Sequence, residues 1–251
     1  RLTGKGHSTD PPDRLLVGGE WRDGARGATI EVEDPATGTP LATVASAGPD
    51  DALLALDAAA AAQDSWAATS PSTRADLLSA AYQVIVQRSE EFALRMTLEM
   101  GKVLAESRGE VKYGSEFFRW FAEEAVRIDG RYTHSPAGTG RILVTKMPVG
   151  PCYAITPWNF PLAMGTRKIG PALAAGCTML VKPAQETPLT MLLLAKLIDE
   201  AGLPKGVLSV LPTTKPGDLT AALIDDGRLR KLTFTGSTGV GKALVKQSSD
   251  K

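Results

Sequence analysis

From residue 151 the chain repeats one unit, a short apolar run followed by a stretch with helical spacing: "CYAIT", a helix to Gly176, "TMLVK", a helix over 188–201, "GVLSVL", a helix over 216–226, "KLTFT" and a last helix from 237. Continuous apolar runs are what strands buried on both faces require, and strands separated by single helices join in parallel. The predicted fold class is therefore α/β, a doubly wound parallel sheet with helices on both sides. Thr187 can cap the helix that has Pro188 at its first position, and Gly202 sits just past its end. Ligands of such folds bind outside the carboxyl ends of the strands, which makes 156–161, 182–187, 212–217 and 235–241 the loops to interrogate.

Upstream, residues 1–13 are polar, rich in turn formers and expected to be loose. "LLVGGEW", "ATIEVEDP" and "PLATVA" read as short strands separated by Gly- and Pro-containing turns. Three helices are predicted over about 49–67, 71–100 and 102–127, with Gly101 and Gly130 as stops. Residues 131–150 have too few apolar positions to be core and suit an extended arm or hairpin that pairs with another subunit's sheet edge. The resulting division is 1–13, 14–130, 131–150 and 151–251. A chain that starts at Arg and stops at "KQSSDK" within a helical pattern is expected to be part of something longer.

Composition removes several classes of function. Lys+Arg and Asp+Glu both number 28, and no basic run interleaved with aromatics occurs, so neither nucleic acid nor an anionic membrane surface is an expected partner. Two cysteines, Cys152 and Cys177, lie in apolar segments, which argues against a disulfide framework and for a reducing, cytoplasmic compartment. His7 and His134 are isolated, so no metal site is predicted. The apolar stretches are broken by Arg167-Lys168 or by prolines, and no membrane span or secretory signal is read.

The first strand of the repeat opens onto "TPWNFP", where a glycine-rich phosphate loop would be expected. Pro157 and Pro161 restrict the backbone on either side of Asn159. A held amide N–H₂ at a strand's carboxyl end is a fit donor for a developing oxyanion; an Asx-type turn would equally use it. Arg167 and Lys168 interrupt an apolar helix and point about 100° apart, toward different targets or simply toward solvent. Lys182 stands at the end of the second strand, where doubly wound folds place an acid that reads ribose hydroxyls, and a cation there favours a phosphate. Gln185 and Glu186 can hydrogen-bond a ribose or decorate a loop. In "FTGSTGVG", Gly236 lets backbone approach a ligand and Ser237 caps a helix whose free N–H groups suit an anion, though a cap alone explains the pair.

Together "TPWNFP", "KPAQETP" and "FTGSTGVG", in this order on these strand ends, resemble the aldehyde dehydrogenase superfamily, and the resemblance extends upstream through "DPATG" and "LEMGKVLAESRGEV". It implies a Rossmann-like cofactor domain, a thiolate-bearing catalytic domain and an oligomerisation arm at 131–150 that would make a homodimer or homotetramer. It implies that Asn159 is the oxyanion donor, that Thr156, Pro157 and Trp158 line the nicotinamide side, and that Lys182, Pro183, Ala184 and Gln185 meet the adenosine ribose. Gly236, Ser237 and Gly241 would meet the pyrophosphate, and Lys168 would lie near a proton relay. "ITPWNFPLAMGTRKIGPALAAGC" is most similar to the succinic semialdehyde branch, in which Arg167 would hold the substrate's distal carboxylate, a bidentate task suited to guanidinium. Where the family often has Glu, Gln185 is neutral, which relaxes exclusion of a ribose 2′-phosphate and predicts that NADP as well as NAD is accepted. The family's Cys nucleophile and Glu base are expected after residue 251, so the chain alone is predicted to be inactive. Its rival description is a catalytically silent dinucleotide-binding or assembly module.

Overall fold

The computed structural model describes residues 13–249; the segment expected to be loose lies almost wholly outside them. The chain opens with a hairpin, β1 (Leu15–Val17) and β2 (Glu20–Arg22), turned by Gly18 and Gly19 at φ +62° and +81°. A separate antiparallel pair follows, β3 (Thr29–Asp34) and β4 (Thr39–Ala45), then four helices: α1 (Pro49–Ala68), α2 (Pro71–Gln87), α3 (Ser89–Met100) and α4 (Leu104–Ala125). The hairpin β5 (Arg131–His134) and β6 (Arg141–Val144) precedes the repeat proper. That repeat runs β7 (Cys152–Ile155), α5 (Ala163–Ala174), β8 (Met179–Lys182), α6 (Leu189–Glu200), β9 (Leu208–Val210), α7 (Pro216–Asp225), β10 (Lys231–Phe234) and α8 (Thr238–Ser248).

The α/β prediction is realised in a six-stranded sheet of order β10-β7-β8-β9-β1-β2. The four repeat strands are parallel, and the N-terminal hairpin adds two antiparallel strands through the pairing of Leu16 with Val210. Alternate residues feed opposite layers, as the pleat demands. Cys152, Ala154, Met179, Val181 and Val210 pack with α2–α6, whereas Tyr153, Ile155, Leu180 and Leu211 pack with α1, α7 and Leu244 of α8. Both faces of β7 and β8 are thus covered, which is why these two strands read as apolar runs, whereas β10 at the edge is only partly buried.

Three local expectations are corrected. The predicted helix over 71–100 is two helices, because Arg88 leaves helical geometry at φ −104°, ψ 22° while its N–H still bonds the Val84 carbonyl. Apolar spacing continues across that one-residue joint, with Ile85 and Phe92 in the same core, so periodicity alone does not reveal it. Gly130 does not stop the third helix, which ends at Ala125; Gly130 instead passes against the Val144 carbonyl, where a Cβ would collide. Thr187 does not cap α6: Pro188 occupies the cap position, and the carboxylate of Glu99 takes the free amides of Leu189 and Thr190 at 2.7 and 2.9 Å. Gly101 and Gly202, at φ +84° and +97°, do end helices as expected.

Candidate active and cofactor site

The carboxyl ends of β10, β7 and β8 lie side by side. Ile155 is in register with Phe234 on one flank and Lys182 on the other, and the ladder runs on through Thr156 N–H to the Lys182 carbonyl and Thr235 N–H to the Ile155 carbonyl, both 3.2 Å. The loops beginning at 156, 182 and 235 are therefore neighbours by construction of the sheet. Thr156, Lys182, Pro183 and Ala184 are buried, Pro157 is half-buried, and Trp158, Asn159, Phe160, Gln185 and Glu186 are exposed. Burial lowers the Lys182 amine from its usual range, opposed by the nearby Glu186 charge.

The Asn159 loop is held from outside. Its carbonyl accepts a 3.0 Å hydrogen bond from Lys102 Nζ, which also sits 4.4 Å above the Phe160 ring and pairs with Glu110. Glu110 Oε1 in turn accepts the N–H groups of Leu162 and Ala163 at 2.9 and 3.0 Å, at the entry to α5. Close approach of α4 to that entry depends on Gly114, where a Cβ would stand 3.2 Å from Ala163 Cα. The loop's main chain is thereby fixed while the Asn159 residue stays exposed at the surface.

Arg167 and Lys168 diverge as predicted from helical geometry. Arg167 is exposed, donates to Tyr113 Oη at 3.0 Å and lies 5.0 Å over the Phe117 ring. Lys168 is buried and donates to Thr235 Oγ1 at 2.7 Å and Thr233 Oγ1 at 3.3 Å. Burial, then the charge of Arg167, lowers the Lys168 amine. Both side chains line one open cavity of about 530 Å³ beside β10.

At the third tip, Ser237 caps α8 by accepting the Val240 N–H at 3.5 Å. Gly236, Ser237 and Gly241 line a separate shallow cavity of about 470 Å³ with Lys242 and Lys246. Gly236 also has a packing reason, since a Cβ there would lie 2.6 Å from the end of the Phe234 ring. The sequence-predicted residues do not share one closed pocket: Asn159 and Gln185 are on exposed loops, Arg167 and Lys168 line one cavity, and Gly236, Ser237 and Gly241 line another. Sequence reading missed Lys102, Glu110 and Glu99. The available signal was a carboxylate at a helical spacing shared with Val111, Gly114 and Phe118, because an acid on a buried face requires donors.

Among the described residues no group of His, Cys, Asp or Glu suits a metal ion, and no helix is long and apolar enough to cross a membrane. Residues 21–251 match the aldehyde dehydrogenase family. A succinate-semialdehyde dehydrogenase of Paenarthrobacter nicotinovorans is 59% identical over 209 residues, 83% of this chain and 46% of the relative. Succinate-semialdehyde dehydrogenase [NADP(+)] of Escherichia coli strain K12 is 45% identical over 93% of this chain and 48% of its own length. The crystal structure of succinate-semialdehyde dehydrogenase from Burkholderia pseudomallei superposes with a TM-score of 0.94 at 44% identity, covering 98% of this chain and 51% of that one. The chain thus spans about half the length of the relatives it matches.

Proposed function

Since this chain belongs to the aldehyde dehydrogenase family, we propose that the protein carrying it oxidises succinic semialdehyde to succinate with NADP or NAD. The observation that carries the reading is the side-by-side placement of three parallel strand ends, one bearing the pinned Asn159 loop, one the buried Lys182 and one the Ser237-capped start of α8. These residues fit a dinucleotide. The N–H groups at the α8 start, with Lys242 and Lys246, suit its pyrophosphate. Lys182 with Pro183, Ala184 and Gln185 suits its adenosine ribose, and Thr156, Pro157 and Trp158 its nicotinamide end. Bound there, the cofactor supplies the hydride acceptor.

The chain's own residues prepare the aldehyde. Arg167, steadied by Tyr113 and Phe117, offers guanidinium N–H groups to the distal carboxylate. Asn159 donates its amide to the oxygen that becomes negative when a cysteine thiolate adds to the carbonyl as a thiohemiacetal; loss of the hydride then gives a thioester that water cleaves. Lys168, with its amine shifted toward the neutral form and bonded to Thr235, can hold or pass a proton beside that centre. The nucleophile and general base are assigned to sequence beyond residue 251, because Cys152 and Cys177 are buried at the opposite, amino-terminal ends of β7 and β8. The β5–β6 hairpin, with Tyr132, Ile142 and Leu143 exposed, is assigned to pairing with a second copy in a homodimer or homotetramer.

Steady-state kinetics on the full-length protein test the reading. Asn159→Ala is expected to lower kcat about 100-fold or more, as losing one oxyanion donor does. Arg167→Ala should raise KM for succinic semialdehyde but not for an uncharged aliphatic aldehyde. Equal effects on both aldehydes refute the carboxylate assignment. Dinucleotide binding without turnover of any aldehyde would instead mark a silent binding module.

A further inference from the structure

The two cysteines take no part in the chemistry proposed above, yet the fold brings them together. Cys152 pairs with Met179 across the parallel β7–β8 ladder, and its N–H bonds the Thr178 carbonyl at 2.9 Å. Cys177 lies two residues before Met179, ahead of β8, and packs in the same buried cluster as Cys152 and Met179 on that side of the sheet. Lys231 is opposite Cys152 on β10 and shares that face. Cys152 Sγ lies 3.4 Å from the Gly150 carbonyl. The neighbouring Cys152 thiol lowers the Cys177 thiol from its usual range, opposed by burial. Although each residue is at least nine-tenths buried, both thiols and Lys231 line the same open cavity of about 530 Å³, which gives a small oxidant a route to them.

We propose that Cys152 and Cys177 form a redox-active dithiol, oxidised by peroxides to a disulfide that ties the start of β7 to the turn before β8. The environment divides the labour between them. The neighbouring Cys152 thiol, the nearby Gly150 and Val149 backbone and the Lys231 charge favour the Cys177 thiolate against its burial, whereas the Cys177 interaction and burial push Cys152 up and keep its proton. Cys177 is therefore the attacking sulfur. Its thiolate takes one peroxide oxygen, the O–O bond breaks, and a sulfenic acid forms as the other oxygen leaves, as hydroxide that solvent protonates to water when the oxidant is hydrogen peroxide. Cys152 then attacks the sulfenic sulfur, the S–O bond breaks, and a water departs with the Cys152 proton. Two thiols have lost two electrons, and the peroxide has gained them.

The dithiol shares its cavity with Arg167 and Lys168, but its test reads cysteine oxidation directly and needs no turnover, so its outcome is distinguishable from that of the activity proposed above. The full-length protein is treated with hydrogen peroxide, free thiols are alkylated, and the sample is digested with trypsin without reduction. The expected product is peptide 147–167 linked to peptide 169–196, released by dithiothreitol, with the intact mass lower by two hydrogens. In Cys152→Ser the Cys177 sulfenic acid should persist and be captured by dimedone, while Cys177→Ser should leave Cys152 alkylatable. In the untreated protein iodoacetamide should label Cys177 at least ~10-fold faster than Cys152, since the thiolate is the nucleophile. Two free, alkylatable thiols after peroxide treatment of the unsubstituted protein overturn the proposal, as does a disulfide from either cysteine to another position.

Discussion

Replacing Glu110 should unfasten the Asn159 loop at a cost that can be worked out from its partners. The side chains of Glu110 and Lys102 are 1% and 7% exposed and form an ion pair out of solvent. Glu110→Ala leaves three groups behind: the Leu162 and Ala163 amides, each losing an acceptor near 3 Å, and a buried ammonium without its counter-charge. Removing one partner of a buried pair costs about 3–5 kcal/mol, because the remaining charge is uncompensated. Lys102→Met should cost less, about 1–3 kcal/mol, since the carboxylate keeps both amide donors and only the ammonium's bonds to Glu110 and the Asn159 carbonyl are lost.

The two losses share one interaction and should not add. Lys102→Met combined with Glu110→Ala should be less destabilising than the sum of the single changes by about 2 kcal/mol, a coupling typical of contacting charged groups. Urea unfolding followed by circular dichroism reads all four proteins, and an unchanged m-value shows that the effect lies in the folded state. Hydrogen exchange at Leu162 and Ala163 should rise in Glu110→Ala even where the global transition is intact. Single changes within about 0.5 kcal/mol of the parent, or strict additivity, would mean that the dyad does not fasten the loop.

A buried acid on the neighbouring helix supplies a pH dependence. Burial, opposed by hydrogen bonds from Thr190 and Leu189 and by Arg95, pushes the Glu99 carboxyl up from 4.5 to about 7. Between those values the folded chain holds a proton that the unfolded chain has released, so this contribution to stability declines as pH rises through the window, by on the order of 3 kcal/mol in total. Glu99→Gln should remove that decline from a plot of urea midpoint against pH whatever its overall stability, and an unaltered slope refutes the assignment. Gln185→Glu places a carboxylate beside the position proposed for the ribose 2′-oxygen and should shift dinucleotide preference toward NAD in paired titrations; no shift removes Gln185 from that role. Leu143 is 70% exposed on β6, and Leu143→Lys should lower the oligomeric state measured by light scattering if the hairpin joins two copies. An unchanged mass means that it does not.

How much of this was legible in the sequence follows from the range of each interaction. The repeat strands were readable because residues on both faces of Tyr153–Ile155 and Leu180–Val181 are buried, leaving no polar residue to interrupt the run. The caps of α5 and α6 were not, because Glu110 lies 52 residues from Leu162 and Glu99 lies 90 from Leu189. Such distances supply no local pattern, and Thr187 offered a nearer but unused alternative. The joint at Arg88 escaped for a different reason, since one non-helical residue disturbs neither the spacing nor the burial of the apolar positions around it.

Those distant carboxylates also account for the position that "TPWNFP" occupies. In a doubly wound sheet the helix after the first strand presents free N–H groups that normally bind an anion. Here the helices after β7 and β8 have their amides taken by Glu110 and Glu99. At the α5 entry the amides that would bind a pyrophosphate are already taken by Glu110, itself paired with Lys102, so a glycine-rich turn there would lack those donors. The start of α8 differs: its cap is the neutral Ser237 hydroxyl, its first turn contains no acid, and Lys242 and Lys246 line the adjoining cavity. Occupied donors thus place the proposed phosphate site one strand over in the sheet, at the end of β10, and leave the first turn stiff, proline-bracketed and fastened by Lys102, as the aiming proposed for the Asn159 amide requires.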